Sequence, residues 1–469
     1  IQTFLASQNH RRNIFIILLI GLITFGNALF NGFVWDDFPF ILNNPEMNSL
    51  NPFQLFGQNK FNMGSYYRPI SALYFSTVHL ISGNQPFLYH FIQITLHIIN
   101  AMGLYVFISI MFEEIAEQIA IKDALHNRNQ SAYNKNRNSS IIPFRTQIGI
   151  SILALFSSLV FLVHPINTES LSYIAASQSV VFFLFGILAL ISISASGLIR
   201  TVSVCTLLLL SVLTKETGAL FLLMALVYIF LFKRGKFSSF IQALIGTGIL
   251  YLGIRFFIGG IYFQKFVGFT PIPIMNLTFE ERMLNVPMVV FYYLKTTLFP
   301  TQLLVLQHWI IQGISTSSFY IPLTVDLLFF ACLVSVGIWM YKANKNFFNG
   351  YVFFLLWFLA GTLMISQILP IADATVADRW FYFPLAGLIG LVTTIIASIT
   401  LRKNDKGEVT THKKILNAVI VISMASVALL SIRTIIRNAD YRDEITLYSR
   451  DSKYQNNALM ESDLAIDYL

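Results

Sequence analysis

Apolar positions along this chain gather into long unbroken runs parted by short polar breaks, instead of alternating with polar ones. A run of about 20 residues has the length of a helix that crosses a bilayer. Such runs fall near 14–31, 87–111, 147–163, 172–196, 201–214, 217–232, 239–259, 320–341, 348–369, 380–401 and 415–434. A shorter run at 285–300 reads as re-entrant or as lying along the interface. The pattern predicts an all-α polytopic membrane protein of about 11–12 transmembrane helices, with a structured loop, 31–86, between the first two. Two units follow: a transmembrane domain over 1–434 and a helical tail over 435–469.

Composition agrees. Of 469 residues, 55% are hydrophobic and 12% charged, about half the charged share of soluble domains. The 44 Phe residues suit lipid-facing helix surfaces. A net charge of +8 would point to nucleic acid in a soluble protein, but here the basic residues collect in alternate loops, and no nucleic-acid partner is expected. Arg11 and Arg12, the cations within 113–146, the group Lys233, Arg234 and Lys236, the pair Lys342 and Lys345, and those within 402–414 all become cytoplasmic by the positive-inside rule. That places 31–86, the turns at 164–170 and 214–217, the stretch 260–320, the loop 370–379 and the tail outside. The polar stretch from Glu113 to Arg145 reads as a mobile cytoplasmic loop (113–146). Cys205 and Cys332 lie inside apolar runs and argue against a disulfide framework. The chain opens on Ile1, which points to residues before it, and its first apolar run lacks a cleavage site and reads as a retained helix. Asn138-Ser139-Ser140 is a sequon on the cytoplasmic side by this topology, and Asn276-Leu277-Thr278 one on the outer side.

The polar residues that remain sort to the outer side. Asp36 and Asp37 follow the first span closely, packed among Trp35, Phe38, Pro39 and Phe40. Ionisable groups at membrane depth are costly and tend to mark sites, so the pair reads as a reaction centre in preference to a solvated loop charge. Tyr67-Arg68-Pro69 opens an interfacial helix whose positive end suits a phosphate; contact with lipid head groups is the equal alternative. His164-Pro165-Ile166-Asn167-Thr168-Glu169 reads as an ordinary capping turn, or as His164 and Glu169 lining a pocket that faces the Asp pair. His90 and His97 read as buried, hydrogen-bonded histidines, there being no ligand spacing for a metal. Lys215-Glu216 reads as a local ion pair in a tight turn, and Arg255 as a snorkelling cation. Asp378-Arg379, followed by Trp380, Phe381, Tyr382, Phe383 and Pro384, fixes a guanidinium among flat rings, a place for an isoprenoid phosphate or an interface belt. Mid-span positions are almost wholly apolar, which disfavours transport.

Asn31-Gly32-Phe33-Val34-Trp35-Asp36-Asp37, Tyr67-Arg68-Pro69, Tyr89-His90 with His97, His164-Pro165 with Thr168-Glu169, Lys215-Glu216, and Asp378-Arg379 through Pro384 stand in one order along the chain. In that order they resemble the transmembrane and tetratricopeptide-repeat O-mannosyltransferases and their bacterial relatives, within the GT-C class of membrane glycosyltransferases. The resemblance implies a GT-C-like bundle. It also implies inverting transfer of a sugar, typically mannose, from a polyprenyl-phosphate carrier to a Ser/Thr hydroxyl of a protein acceptor. The membrane would be a bacterial inner membrane or the endoplasmic reticulum, with the site facing outside or the lumen. Asp36 and Asp37 would be catalytic. Arg68, Arg379 and, less directly, Arg255 would bind the donor phosphate in place of a metal, so no cofactor is expected. Tyr67, His90, His164, Glu169, Lys215, Glu216, Asp378 and Tyr382 would line the pocket. Asp378 departs from the relatives, which often carry Glu there. The tail from Tyr441 to Leu469 resembles entry into tetratricopeptide repeats, and partners would bind through it or through repeats beyond it. A scaffold subunit without catalysis, or a transporter of lipid-linked sugars, are the alternative classes.

Overall fold

A computed structural model describes residues 8–57, 67–126, 142–195, 197–233, 237–258, 273–305, 307–369, 374–403 and 409–454. The protein is an all-α polytopic membrane protein. Its helices are α1 (Gln8–Phe25), α2 (Pro69–Ser82), α3 (Pro86–His126), α4 (Phe144–Val163), α5 (Gln178–Ser192), α6 (Gly197–Thr214), α7 (Ala219–Phe232), α8 (Phe237–Gly253), α9 (Phe279–Leu298), α10 (Ile321–Ala343), α11 (Lys345–Ile365), α12 (Tyr382–Thr400), α13 (Lys413–Asp440) and α14 (Glu444–Asp451). Among the described residues, ten helical segments are long and apolar enough to cross a bilayer, and Glu216–Phe232 is a shorter eleventh. These match the eleven long runs of the sequence one for one. The shorter run at 285–300, expected to be re-entrant or interfacial, falls mostly within α9, which begins at Phe279 behind a capping box of Thr278 and Glu281 and is not among the candidate spans.

Two central helices organise the bundle. α3 packs on α4 and α5, while α4 also contacts α1, α12 and α13. α3 has 41 residues, about 60 Å at the α-helical rise and twice the thickness of the hydrocarbon core. The apolar run ends at 111 and the polar stretch from 113 predicts a mobile loop, but the helix continues through Glu113, Glu114 and Glu117 to His126. The extension is held by partners: Glu114 binds Lys233 at 2.7 Å and accepts the Tyr228 hydroxyl at 3.1 Å. The sequon Asn138-Ser139-Ser140 and the tail residues beyond Tyr454 lie outside the described residues. A two-stranded hairpin, β1 (Leu401–Lys403) with β2 (Val409–Thr411), closes the turn between α12 and α13 with Leu401 opposite Thr411.

Phe does more than face lipid. Trp357 on α11 is packed by Phe107, Phe183, Phe221, Phe354 and Phe383, and its indole N–H donates to Phe383 O at 3.0 Å. Lipid tails offer no hydrophobic drive between helices, so such close packing must hold them together. Aromatic pairs add about 0.5–1.5 kcal/mol each beyond buried area. Gly387 makes the α11–α12 crossing possible, because a Cβ there would lie 2.6 Å from Phe358 N.

The described part of the loop after α1 packs on α2 on one flank and on the C-terminal helices on the other. Asn438 ties the flank together: its amide donates to Thr24 O, its Oδ1 accepts from Ser172, and its carbonyl accepts from Asn31.

Candidate active site

The Asp pair sits on a tight bend after α1. Trp35 has a φ of 52°, a left-handed conformation that bulky L-residues rarely adopt. That bend points the two adjacent acids at different partners. Asp37 is fully buried, and its carboxylate accepts three backbone N–H groups: Ala175 at 2.7 Å, Val34 at 3.0 Å and Ile174 at 3.4 Å. Burial raises its pKa; the three amides work against that, and the Asp36 charge adds to the rise. Asp36 is half-buried and accepts the Tyr173 hydroxyl at 2.7 Å. Burial, with Asp36 and Asp37 beside it, holds that phenol protonated far above neutrality. The two carboxylates thus differ in kind. Asp37 is tied into the backbone, and Asp36 is the one that meets side-chain chemistry.

Arg379 lies across this centre. Its guanidinium is 5.2 Å from the Trp35 ring, 5.6 Å from Tyr173 and 5.8 Å from Trp380, a geometry that attracts a cation to aromatic faces. It also forms a buried ion pair with Glu169, whose second oxygen accepts the Arg379 backbone N–H at 2.8 Å. The Arg379 charge is thus matched by the buried Glu169 carboxylate and covered by rings, beside the bend that carries Asp36. Asp378 accepts the Tyr292 hydroxyl at 2.6 Å, and Tyr292 accepts from Gln307 at 2.6 Å. α9 therefore delivers two tyrosines under the Asp378 turn, Tyr293 bonding to Ala377 O at 3.1 Å.

A second, basic cluster lies beside the first. Arg68, at the N-terminal end of α2, donates to Glu216 at 2.9 Å and to Gln178 at 2.6 Å. Lys215 donates to Ser179 at 3.0 Å, beside the Arg68–Glu216 pair. The turn is tight because Gly218 approaches Ser211 so closely that a Cβ would lie 2.4 Å from its carbonyl. Arg255 stands over the ring of Tyr67, the residue before Arg68, at 5.5 Å. Among the described residues, three cations stand against one carboxylate in this cluster, which is therefore positive.

Three of the expected lining residues are packed inward. His90 is buried and bonds Gly32 O at 3.3 Å, fixing the foot of the Asp-bearing loop. His164 donates Nε2–H to Thr297 O at 3.0 Å and accepts Ile166 N–H at Nδ1; burial lowers it to about 4, so it joins α4 to α9 as a neutral ring. Tyr382 is buried against His97 at 2.7 Å and Asn100 at 3.0 Å. Among the described residues, no three His, Cys, Asp or Glu side chains converge as a metal site would need.

The worm Caenorhabditis elegans protein O-mannosyl-transferase F38B6.6 is 24% identical over 451 residues, 93% of this chain and 57% of that protein. Protein O-mannosyl-transferase TMTC3 of Homo sapiens is 27% identical over 220 residues, 43% of this chain and 20% of that protein; its Mus musculus counterpart is 24% identical over 222 residues, 44% of this chain and 20% of that protein. The chain is thus similar to one protein O-mannosyl-transferase along nearly its whole length and to two others along less than half of it. It spans a little over half the length of the worm relative and a fifth of the other two. No family model and no solved structure matches it. The likeness read from six short runs is thereby borne out.

One segment, Tyr173–Ser179, joins the two clusters, and neither its apolar run nor its length marks it in the sequence. Tyr173 meets Asp36, Ile174 and Ala175 clamp Asp37, Gln178 takes Arg68 and Ser179 takes Lys215. Its signal was present: Ser170, Ser172, Ser177, Gln178 and Ser179 open an otherwise apolar run, more polarity than the start of a lipid-facing span needs.

Proposed function

We propose that the chain is an inverting glycosyltransferase. It would move a mannosyl group from a polyprenyl-phosphate donor to a Ser or Thr hydroxyl of a protein acceptor, at the outer or lumenal face of the membrane. The observation that carries the reading is the joining, through Tyr173–Ser179, of an acidic centre at Asp36 to a basic cluster at Arg68, Lys215 and Arg255. Transfer needs a base for the incoming hydroxyl and charge stabilisation for the departing phosphate, and the two clusters supply one each.

Asp36 takes the proton as the acceptor oxygen attacks the anomeric carbon. The bond from that carbon to the phosphate oxygen breaks on the opposite side, and the polyprenyl phosphate leaves with the electron pair. Arg68, Lys215 and Arg255 receive its charge. Asp37 holds the bend and Arg379 with Glu169 supports it. No cofactor enters this reaction as written, and the isoprenyl tail lies in lipid along the helices. The tail after α14 is the place for protein contacts, including any tetratricopeptide repeats.

The test incubates the purified full chain with polyprenyl-phosphate mannose and a Ser/Thr-containing protein acceptor, with intact-mass and peptide mass spectrometry as readout. Hexose added to hydroxyl side chains by the natural chain and absent with Asp36→Asn is the expected result. Equal transfer by both proteins rejects Asp36 as the base, and no transfer from a panel of polyprenyl-phosphate sugars rejects the activity.

A further inference from the structure

The bend that carries Asp36 is held from the far end of the chain. Trp35 N–H donates to Glu444 Oε1 at 3.2 Å, and the same oxygen accepts the Tyr448 hydroxyl at 3.1 Å. Three residues earlier in the bend, Gly32 N–H donates to Arg442 O at 2.8 Å. A Cβ at Gly32 would lie 3.1 Å from that oxygen. α14 is in turn fixed in place. Asp443 caps it, accepting Thr446 N–H at 2.8 Å, and Asp451 is gripped by Arg437 through two bonds of 2.9 and 3.1 Å while accepting Val305 N–H at 2.9 Å. Val34, Tyr173, Tyr441, Leu447 and Tyr448 form one buried cluster between the helix and the bend.

A bulky residue in the left-handed region persists only where its surroundings over-determine it. Trp35 is such a residue, and its side chain stacks on Tyr173 at 5.2 Å, the residue that bonds Asp36. Its backbone N–H therefore needs an acceptor outside its own turn, and Glu444 supplies one.

We infer that Glu444 is a positioning residue for the reaction: by accepting the Trp35 N–H it holds the left-handed bend that presents Asp36 beside Tyr173. The inference rests on the reading of Asp36 as the base. Releasing the bend misplaces the base without touching the basic cluster, and a displacement of about 1 Å costs up to 100-fold in rate. Glu444→Gln keeps a carbonyl acceptor at the same reach for the Trp35 N–H, losing the charge and exchanging the second oxygen for an NH2 donor.

The experiment uses the full chain with polyprenyl-phosphate mannose as donor, and measures kcat and donor KM for Glu444→Ala and Glu444→Gln. Hydrogen exchange of the peptide containing Trp35 is measured in parallel. Glu444→Ala is expected to lower kcat at least tenfold with donor KM within twofold and to speed exchange at Trp35, while Glu444→Gln restores both. Unchanged kcat and unchanged exchange in Glu444→Ala overturn the inference, as does a Glu444→Gln variant as impaired as Glu444→Ala. Asp36→Asn in the same assay separates the two readings. If it stays active, the base assignment fails, while the exchange data still report whether Glu444 holds the bend.

Discussion

Asp37 and Ala175 are bound to each other across 138 residues of sequence, the Ala175 N–H donating to Asp37 Oδ1 at 2.7 Å. With Val34 and Ile174 donating to Oδ2, both oxygens of a fully buried carboxylate face N–H donors. An amide in that position turns its own NH2 toward a donor, which leaves buried polar groups unpaired at about 1–3 kcal/mol. Asp37→Asn is therefore expected to lower the apparent Tm of the purified protein, with transfer falling along with the folded fraction. Asp36→Asn is expected to keep the natural Tm and lose transfer. Thermal melts of the two variants beside their turnover decide it, and reversed phenotypes would mean that the roles of the two acids have been exchanged.

Tyr173 adds a finer test of the same centre. Its hydroxyl donates to Asp36 while its ring carries Trp35 and Arg379. Tyr173→Phe removes the hydroxyl and keeps the rings. A hydrogen bond to a charged group contributes about 1.5–3 kcal/mol, so a kcat loss of about tenfold or more is expected with little change in donor KM. A Tyr173→Phe enzyme with natural kcat would show that Asp36 is oriented by something else.

The spans were legible because length and apolarity alone decide them: the eleven long runs return as helices, among them the short Glu216–Phe232. Boundaries were less so. Glu113, Glu114 and Glu117 look like loop residues in sequence, and only the partners Lys233 and Tyr228 make a helix extension tolerable there. At the site, Asp36, Asp37, Arg68 and Arg379 could be singled out by type and setting. Their roles could not, because each depends on a partner more than 100 residues away: Ala175 for Asp37, Glu216 for Arg68, Glu169 for Arg379. Periodicity carries no information about such pairings. Tyr173 and Gln178 escaped notice for a related reason, since they read as the start of a span until the Asp pair is set against them.

The Glu169–Arg379 pair is buried on both sides. Removing one partner from such a pair leaves an uncompensated charge at about 3–5 kcal/mol, whereas replacing both with apolar groups of similar size is often close to neutral. Glu169→Gln is expected to lower the apparent Tm markedly, and Glu169→Leu with Arg379→Met to recover much of it. If the double variant melts as low as the single one, the pair does not act as a unit.

Arg68 tests the basic cluster separately. It reaches Glu216 and Gln178 and carries the charge most directly tied to the linking segment. If the cluster receives the donor phosphate, Arg68→Ala raises the donor KM by about tenfold, on the scale of one charge-assisted hydrogen bond. Arg68→Lys recovers part of that, keeping charge without the fork. A donor titration with each variant at fixed acceptor gives the answer; a KM unchanged in Arg68→Ala would move the phosphate elsewhere.

Asp451 predicts the response to acid. Burial opposes its charge, but Arg437 and Arg450, with the Val305 N–H, hold its carboxyl below the usual carboxylate range. A group whose folded pKa lies below its unfolded value of about 3.9 contributes stability above that value and loses it as pH falls through the folded pKa. The clamp of α14 on α13 is therefore complete at neutral pH and weakens below about pH 4. Asp451→Asn lacks the titrating group, so it should begin with a lower apparent Tm at pH 7 and follow a flatter course into acid. Melts at half-unit steps from pH 6 to 3 measure both curves, and parallel curves for the two proteins would show that acid acts on the fold somewhere other than at this clamp.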